Sequence, residues 1–471
     1  MTTGTQTDIQ ANGSTVVATG ERTAAHGTET DGARPRAFVL TGAFWVVCRN
    51  PRYLEELAAR GLRILLVTPE SYREQAQTCR KDPEHPASLI DDIAYVDGAL
   101  DQEGSFTPSF VSGVRAWQQR YEITGAYAVG ETLVEQTGLL CDTLGLRGPG
   151  LRATRVCRSK YLQRWYLDGF SPVSVVIPPA RREEAALAEL PYPVVLKPAT
   201  RHSSSGVVAV SDAAALRSLL ATYPAYETVL VEQQVTGQEF SVESLVQDGE
   251  VIFASVTRKE TTESHARTFV ELSHSVPNAD ADAERRLLEA NRRMLTALGF
   301  RDGIAHAEWR TGDDGRPYLM EVAARTPGDG LLALYHLATG RPLEPEIVRI
   351  ALGEPAAYPA PRRWTRQVYL EHGTGTLEDV SVDWPGVRPV WVADGRMWPE
   401  PAPGAPEDPA ALRAVLVLKE RGARLAPLAS SDDRAVTFLI DAPSPAELDA
   451  LEQRVRAAVT VTTGPEAGDV G

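Results

Sequence analysis

Apolar runs alternate with helical patterns along the first third of the chain. Four runs that predict strands begin near residues 37, 63, 93 and 123. The stretches 51–61 and 111–121 between them have the composition and spacing of helices. Strands that alternate with helices are typical of a parallel sheet covered by helices. We therefore predict an N-terminal parallel α/β domain at residues 35–148, preceded by a disordered tail at 1–34 that has almost no large apolar groups.

The middle of the chain, residues 149–354, combines short strands with polar turns. PYPVVLKPATRHSSSGVVAV, at 191–210, is typical of a strand, a polar loop and a second strand, and a helix is predicted just before it at 182–189. A later helix has one apolar face and a glycine, Gly299, that can end it. That face is formed by Leu287, Met294, Leu295 and Leu298.

The last region, residues 355–471, is rich in Pro, Trp and Val and contains short alternating strands. A final helix at 444–459 begins with Ser-x-x-Glu, the pattern of a capping box. We predict a small C-terminal lobe of α+β type here. The fold class predicted for the whole chain is therefore α/β and α+β.

Composition restricts the partners and the compartment. The chain has 471 residues, 43% of them hydrophobic and 24% charged, with a net charge of −15, which argues against nucleic acid or an anionic membrane as partner. The four cysteines have no metal-ligand spacing and fit a reducing cytoplasm. We see no leader pattern and no apolar run of about 18 residues. A cytoplasmic protein that binds small molecules is therefore expected.

Two acidic residues are placed on a predicted hairpin. Glu308 and Glu321 lie on apolar runs that are joined by the turn TGDDGRP. Cross-strand neighbours are about 4.5–5.5 Å apart, so the two carboxylates would repel unless a cation lay between them. Mg²⁺ is typically held by one or two carboxylates and substrate phosphates, and Arg325 adds a guanidinium suited to an oxyanion. The alternative is a surface turn with solvated acids.

A phosphate site is indicated by lysines and a loop of serines, although no Walker A pattern is present. Lys197 ends the apolar strand VVLK, and Lys160 lies near the start of a helix. The loop after Lys197 offers hydroxyls and main-chain N–H groups to phosphate oxygens from Ser203, Ser204, Ser205 and Gly206. The alternative for Lys197 is a strand-end lysine that extends to solvent.

The run VLVEQQVTGQEFSVE offers groups for a nucleoside. An adenine needs main-chain contacts on an apolar wall, which residues 232–235 can line, and ribose hydroxyls need an acceptor such as Glu239. A hairpin with exposed acids is the alternative.

Four motifs occur together in an order that resembles the ATP-grasp superfamily. They are K-Y in CRSKYLQR, L-K-P followed by S-S-S-G-V, V-E-Q-Q-V-T-G-Q-E-F-S-V-E, and the late A-E and M-E-V-A-A-R pair, and they cover about residues 150–353. The resemblance implies ATP bound between two α+β subdomains, at 149–354. It implies phosphate contacts from Lys160 and Lys197, adenine contacts from Glu232, Gln233 and Val235, a ribose contact from Glu239, and Mg²⁺ on Glu308 and Glu321.

One position departs from the superfamily's pattern. Many members have Glu-x-Asn-x-Arg at the second carboxylate, with the Asn as a further metal ligand. Here Ala323 stands in that place. The resemblance therefore implies one or two Mg²⁺ ions, with Mn²⁺ as an alternative, and leaves the second ion in doubt.

A narrower resemblance lies in TFVELSHSVPN, residues 268–278, which is similar to the substrate segment of bacilysin-type L-amino acid ligases. In that group the residues matching Glu271 and His274 lie beside the amino-acid substrates, and the arginine matching Arg325 steadies the reacting carboxylate. Members place a large aromatic just after this arginine, where the present chain has Asp329 and Gly330. This implies an acceptor pocket that is wider or that favours a cationic group. A hydrogen-bonded loop histidine is the alternative for His274.

Together these features predict an ADP-forming carbon–nitrogen ligase. Phosphoryl transfer would activate a carboxylate as an acyl phosphate, and an amine would then form an amide, between amino acids or between an amino acid and a small carboxylic acid. Arg325 could stabilise the oxyanion, and Glu271 or His274 could hold the amine or take its proton. Activation of bicarbonate or of a purine-pathway carboxylate, a thiol or hydroxyl acceptor, and a non-catalytic nucleotide sensor stay open, as does a homodimer.

Overall fold

A parallel sheet opens the structure, as the alternation of strands and helices predicts. The computed structural model describes residues 34–100, 102–182, 190–199, 201, 205–266, 268–394 and 397–465. The predicted tail, apart from residue 34, and nearly all of the helix predicted at 182–189 lie outside them. The first sheet contains β1 (Arg36–Thr41), β2 (Arg63–Pro69), β3 (Asp92–Val96) and β4 (Glu122–Ala128) in the order β3-β2-β1-β4, with all pairs parallel.

Helices cover both faces of this sheet, so β1 and β2 are buried along almost their whole length instead of alternating. The helices of this part are α1 (Phe44–Cys48), α2 (Pro51–Ala59), α3 (Arg73–Cys79), α4 (Thr107–Arg120) and α5 (Val134–Leu144). Two further helices, α6 (Leu151–Arg158) and α7 (Lys160–Tyr166), lead into the next sheet. The predicted parallel α/β architecture is confirmed.

A second, antiparallel sheet of four strands carries the predicted strand–loop–strand. Its strands are β5 (Ser174–Ile177), β6 (Val194–Pro198), β7 (Val208–Val210) and β8 (Val229–Gln233), in the order β5-β8-β6-β7. Helix α8 (Ala213–Leu220) packs against it through Leu216 and Leu220. This sheet presents Lys197 and Glu232 from neighbouring strands.

The largest sheet has nine strands and continues into the C-terminal region. Its order is β13-β12-β9-β10-β11-β14-β19-β17-β16, and β16 and β17 are its one parallel pair among the described residues. The strands are β9 (Glu239–Gln247), β10 (Glu250–Thr261), β11 (Glu271–Val276), β12 (Gly303–Thr311), β13 (Pro317–Ala323), β14 (Trp364–Leu370), β16 (Pro389–Trp391), β17 (Ala411–Val417) and β19 (Val436–Ala442). Strand pairing therefore crosses the predicted boundary near residue 355.

The remaining elements cover this sheet or flank it. A small sheet of β15 (Gly375–Val382), β18 (Arg424–Leu425) and β20 (Val459–Gly464) has the order β18-β15-β20. The helices are α9 (Ala281–Leu298), α10 (Leu331–Thr339), α11 (Glu344–Leu352) and α12 (Pro445–Ala458). The predicted apolar face of α9 is buried, and Gly299 ends the helix with a φ of +71°. Ser444 caps α12 by accepting from the N–H of Glu447.

One core cluster joins the parallel sheet to the nine-stranded sheet. It includes Phe38 and Tyr53 from the N-terminal part, Leu245 and Ile304 from the large sheet, and Leu439 from the C-terminal part. Helix α11 lies between them, against β4 on one side and β12 on the other, and Tyr335 of α10 is fully buried in the same cluster. None of the helices in the described part of the chain has the length and apolar character that crossing a membrane requires.

Candidate functional site

The hairpin of β12 and β13 places the two predicted acids opposite each other. Glu308 and Glu321 are register partners because the pairing shifts by one residue between Glu308 and Trp309; the register that starts at the turn would set Glu308 opposite Met320. Both line one cavity, which we call the first cavity. Each acid has a lysine partner: the Nζ of Lys259 lies 2.5 Å from Glu308, and that of Lys160 lies 3.1 Å from Glu321. The repulsion expected between two carboxylates is thus relieved by lysines.

Lys259 lies among three carboxylates that line the first cavity. Its Nζ is 2.5 Å from Glu308, 3.6 Å from Glu239 and 3.8 Å from Glu271. Burial by itself would lower the pKa of Lys259, but these acids raise it above its usual value. The three acids offer oxygens that lie within 4.8 Å of one another, an arrangement that can hold a cation. Glu321 does not belong to this group.

The buried end of the first cavity contains a second charge cluster. Glu232 is held by Lys197 at 2.5 Å and by Arg164 at 2.5 Å, and all three side chains are buried. Burial would raise the pKa of Glu232, yet the two cations lower it. Burial, together with Arg164, lowers the pKa of Lys197 to about 8. The carboxylate of Glu232 is therefore engaged by the protein, while Gln233 and Val235 line the cavity beside it.

The predicted ribose acceptor, Glu239, also lines this cavity. It accepts from the guanidinium of Arg310 at 2.7 Å, and Arg310 also donates to the main-chain oxygen of Val235 at 3.3 Å. Arg310 thus joins the two stretches that the sequence assigns to the nucleoside. A ribose hydroxyl would share Glu239 with this arginine.

The loop after Lys197 borders the same cavity where it is described. Ser205 lines the cavity and Gly206 follows with a φ of +73°, whereas Ser203 and Ser204 lie outside the described residues. Lys160 donates to the main-chain oxygen of Arg201 at 2.8 Å. Lys160 therefore reaches both this loop and the β12–β13 hairpin.

A second cavity of about 340 Å³ adjoins the first and shares four lining residues with it: Glu271, His306, Glu308 and Arg325. Its volume lies in the range of roughly 300–1,000 Å³ that is usual for ligand sites. Arg325, at the shared edge, donates to Glu131 at 2.6 Å. Although burial opposes it, the charge of Arg325 lowers the pKa of Glu131 to about 2. The pair therefore stays ionised at any ordinary pH.

Glu271 and His274 lie side by side on the wall of the second cavity. The Nε2 of His274 is 2.8 Å from Asp329, and its Nδ1 has no partner among the described residues. Asp329 also accepts from Arg434 at 2.6 Å. The carboxylate that replaces the expected aromatic is thus already engaged by a cation of the protein. Glu271 accepts from the hydroxyl of Ser431 at 2.6 Å.

Sequence reasoning missed several members of the site, chiefly Lys259, Arg164, Glu131, His306 and Arg434. For Lys259 a signal was available, because it lies two and four residues from Thr257 and Ser255 on the buried face of β10. His306, two residues before Glu308 on β12, and Arg164, one turn after Lys160 on α7, had a similar signal. Glu131 and Arg434 come from distant parts of the chain, and their local sequence gives none.

Known proteins resemble the chain across this site. Residues 190–332 match the model of the ATP-grasp domain. An uncharacterized protein, y4rH, of Sinorhizobium fredii is 30% identical over 50% of this chain and 50% of its own length. Alanine–anticapsin ligase of Bacillus subtilis is 26% identical over 44% of this chain and 50% of its own. The chain spans about half the length of these curated relatives.

Two further matches extend the comparison. A D-alanine–D-alanine ligase of Gloeobacter violaceus is 30% identical over 39% of this chain and 64% of its own length. The crystal structure of an L-amino acid ligase from Bacillus licheniformis superimposes with a TM-score of 0.69, covering 92% of this chain and 100% of that one at 20% identity. This last likeness is evidence of a shared fold.

Proposed function

We propose that the chain, whose residues 190–332 match the ATP-grasp domain, is an ATP-dependent carboxylate–amine ligase that forms ADP. It would join two amino acids, or an amino acid and a small carboxylic acid, through an acyl phosphate. The observation that carries the proposal is the edge shared by the two cavities. Glu308 and Arg325 face both a cavity with lysines suited to phosphates and a cavity lined by acids, arginines and histidine.

ATP would occupy the first cavity. Lys160, Lys197 and the 203–206 loop would contact its phosphates, and Gln233, Val235 and Glu239 would contact its nucleoside. Glu232 would act through Lys197, whose ammonium it holds. The pKa of Lys197, about 8 because of burial, means that its charge, and with it phosphate affinity, should fall above that pH.

The donor set fits a hard divalent cation. Glu308 and Glu321 present carboxylate oxygens, the ligands that Mg²⁺ prefers, and Glu239 and Glu271 lie beside Glu308. When bound, Mg²⁺ or Mn²⁺ would neutralise the charge of the β- and γ-phosphates. Lys160 and Lys259, which pair with the two acids in the structure, would then be free to turn toward phosphate oxygens.

The reaction needs two balanced displacements. A substrate carboxylate oxygen attacks the γ-phosphorus, an O–P bond forms, and the bond to ADP breaks. The amine nitrogen then attacks the acyl carbon, and phosphate leaves. Arg325, kept ionised beside Glu131, would stabilise the oxyanion. The proton released by the amine would pass to Glu271 or His274 and then to solvent.

Two observations favour amino acids over the alternatives. Relatives of the chain include proteins named alanine–anticapsin ligase and D-alanine–D-alanine ligase. The second cavity also carries both signs of charge, with Glu131, Glu271 and Asp329 beside Arg325 and Arg434, which suits a zwitterion better than bicarbonate. A nucleotide sensor would have no use for this second cavity.

The test is release of ADP and phosphate from ATP and Mg²⁺ across single and paired amino acids, with hydroxylamine added to trap an acyl phosphate. Release that requires an amino acid, together with hydroxamate, is expected. Arg325→Lys and Arg325→Ala should lower kcat by about 10²–10³-fold with ATP affinity nearly unchanged. An equal loss of ATP affinity would contradict the oxyanion role.

The metal assignment is tested separately. Glu308→Gln and Glu321→Gln should abolish Mg²⁺-dependent turnover, whereas Glu250→Gln, at an exposed position of β10, should retain it. Melting curves would show that each variant folds. Normal turnover by either hairpin variant would refute its role as a metal ligand.

A further inference from the structure

Arg49 follows α1 and reaches the wall of the second cavity. It borders this cavity and an adjoining groove, but not the first cavity. Its guanidinium carbon lies 4.7 Å from the ring centre of Trp45 and 5.4 Å from that of Trp398. These are cation–π distances. The two indoles, from opposite ends of the chain, therefore hold the guanidinium in place.

The other cations on this wall each have an acidic partner. Arg325 pairs with Glu131 at 2.6 Å, and Arg434 pairs with Asp329 at 2.6 Å. Lys259 pairs with Glu308 at 2.5 Å.

Arg49 differs from them. Within the described part of the chain, the contacts recorded for its guanidinium are those with the two indoles, and it has neither an ion pair nor a hydrogen bond. An arginine keeps its charge in proteins. A half-buried arginine that has no acidic partner favours the binding of an anion.

The acids of the cavity cannot serve Arg49 without losing other contacts. Asp329 is near enough to raise the pKa of Arg49, against the larger lowering effect of burial, but it already binds Arg434 and His274. The positive charge of Arg325 lowers the pKa of Arg49. Arg49 and the reactive edge of the cavity are thus close enough to interact electrostatically.

We infer that Arg49 is a specificity-determining residue that binds the carboxylate of the amine substrate. This inference rests on the proposed function. The amine must reach the edge at Arg325, where the acyl phosphate would form, whereas Arg49 lies on a wall that the first cavity does not share. An amino acid carries an amine and a carboxylate and can span from one to the other.

The form of the contact follows from the indoles. Cation–π contacts supply no lone-pair acceptor, so the N–H groups along the edge of the Arg49 guanidinium still need one. That edge matches a planar carboxylate in a bidentate arrangement. A neutral carboxamide of the same shape lacks the charge, and it is therefore the discriminating probe.

The test compares amine substrates as acid and amide pairs: glycine and glycinamide, L-alanine and L-alaninamide, L-phenylalanine and L-phenylalaninamide. For wild type we expect kcat/KM to be about 10–100-fold higher for the acid, the usual effect of a hydrogen-bonded charge pair. Arg49→Met should raise KM for the acid by a similar factor and leave the amide nearly unchanged. Arg49→Lys should restore part of the preference.

A matched control is Arg63→Met, which removes an exposed arginine that pairs with Asp91 away from the cavities. This variant should have the wild-type kcat/KM for both the acid and the amide of each pair. Equal loss for acid and amide in Arg49→Met, or no preference in wild type, would overturn the inference, because a structural arginine would affect both substrates alike.

A second arm separates the two sources of a carboxylate. Hydroxamate formation without an amine substrate reports the KM of the activated acid alone. Arg49→Met should leave this KM unchanged, and a large rise would assign Arg49 to the activated acid and overturn the inference.

Failure of the proposed function would appear differently, as wild type that releases no ADP with any amino acid. In that case, calorimetry with the same acid and amide pairs measures directly whether Arg49 contributes to their binding. Acid-selective binding that Arg49→Met abolishes would support the carboxylate contact, and its absence from wild type would refute it.

Discussion

Glu344, the first residue of α11, has a pKa that is set chiefly by burial. Its side chain is buried, and burial raises its pKa to about 7. The unfolded chain has the ordinary value near 4.5. The folded protein therefore binds this proton more tightly, and the resulting stability is fully present below about pH 4.5 and is lost as the pH rises through 7.

We predict that Glu344→Gln removes this part of the pH dependence. A shift from 4.5 to about 7 corresponds to about 3 kcal/mol. The variant should match wild type near pH 5 and exceed its unfolding free energy near pH 8, in urea titrations at both values. Glu250→Gln, at an exposed position, is the control. A variant that is equally destabilised at both values would contradict the burial argument.

Among the elements, the turn between β8 and β9 depends on one glycine. Gly237 has a φ of +104°, and a Cβ there would overlap the main-chain oxygen of Thr311 on β12. The turn is also tied down by Thr236, which donates to Asp313 at 2.9 Å. The turn joins the stretches that we assign to adenine and ribose, so its backbone matters for both.

We predict that Gly237→Ala lowers the unfolding free energy by more than the roughly 1–2 kcal/mol that a left-handed backbone costs an alanine. The matched control is Gly249→Ala, which should lower the unfolding free energy by about that amount. Gly249 has a φ of +83°, and a Cβ added there would meet no atom of the described residues within 4 Å. Gly237→Ala should also weaken ATP binding in calorimetry. Equal urea midpoints for the two variants would contradict the prediction, because they would show that the main chain at Thr311 moves aside at little cost.

At the scale of the molecule, the nine-stranded sheet joins regions that the sequence separates. Strand β11 pairs with β14 across the predicted boundary near residue 355. Ser431 and Arg434 then contact Glu271 and Asp329 in the second cavity. The domain boundaries stay a prediction, but the C-terminal region contributes to both the sheet and the site.

We predict that a chain ending at residue 354 loses solubility and cooperative unfolding, because β11 would become an open edge and the core around Leu439 would be lost. Soluble yield and thermal unfolding by circular dichroism would measure this. Deletion of residues 1–33, which the sequence predicts to be disordered, should leave the melting temperature unchanged. A soluble 1–354 fragment with the melting curve of the full chain would contradict the prediction.

The sequence by itself determined the local structure and part of the site. Apolar runs specified the strands of the parallel sheet, and the face that includes Leu287 specified the buried side of α9. The apolar runs and the turn between them predict a hairpin that carries Glu308 and Glu321, but the bulge that sets the two acids opposite each other is visible only in the structure. The ordered motifs sufficed for the ATP-grasp resemblance, which the domain match confirms.

The tertiary structure decided which charges meet. Arg325 and Glu131 are 194 residues apart, and Arg434 and Asp329 are 105 apart. Hydrophobic periodicity tells which face of an element is buried but not which element covers it. Ion pairs between elements therefore follow from the packing of sheets and helices, and so does the contact of Arg49 with Trp398 of the C-terminal region.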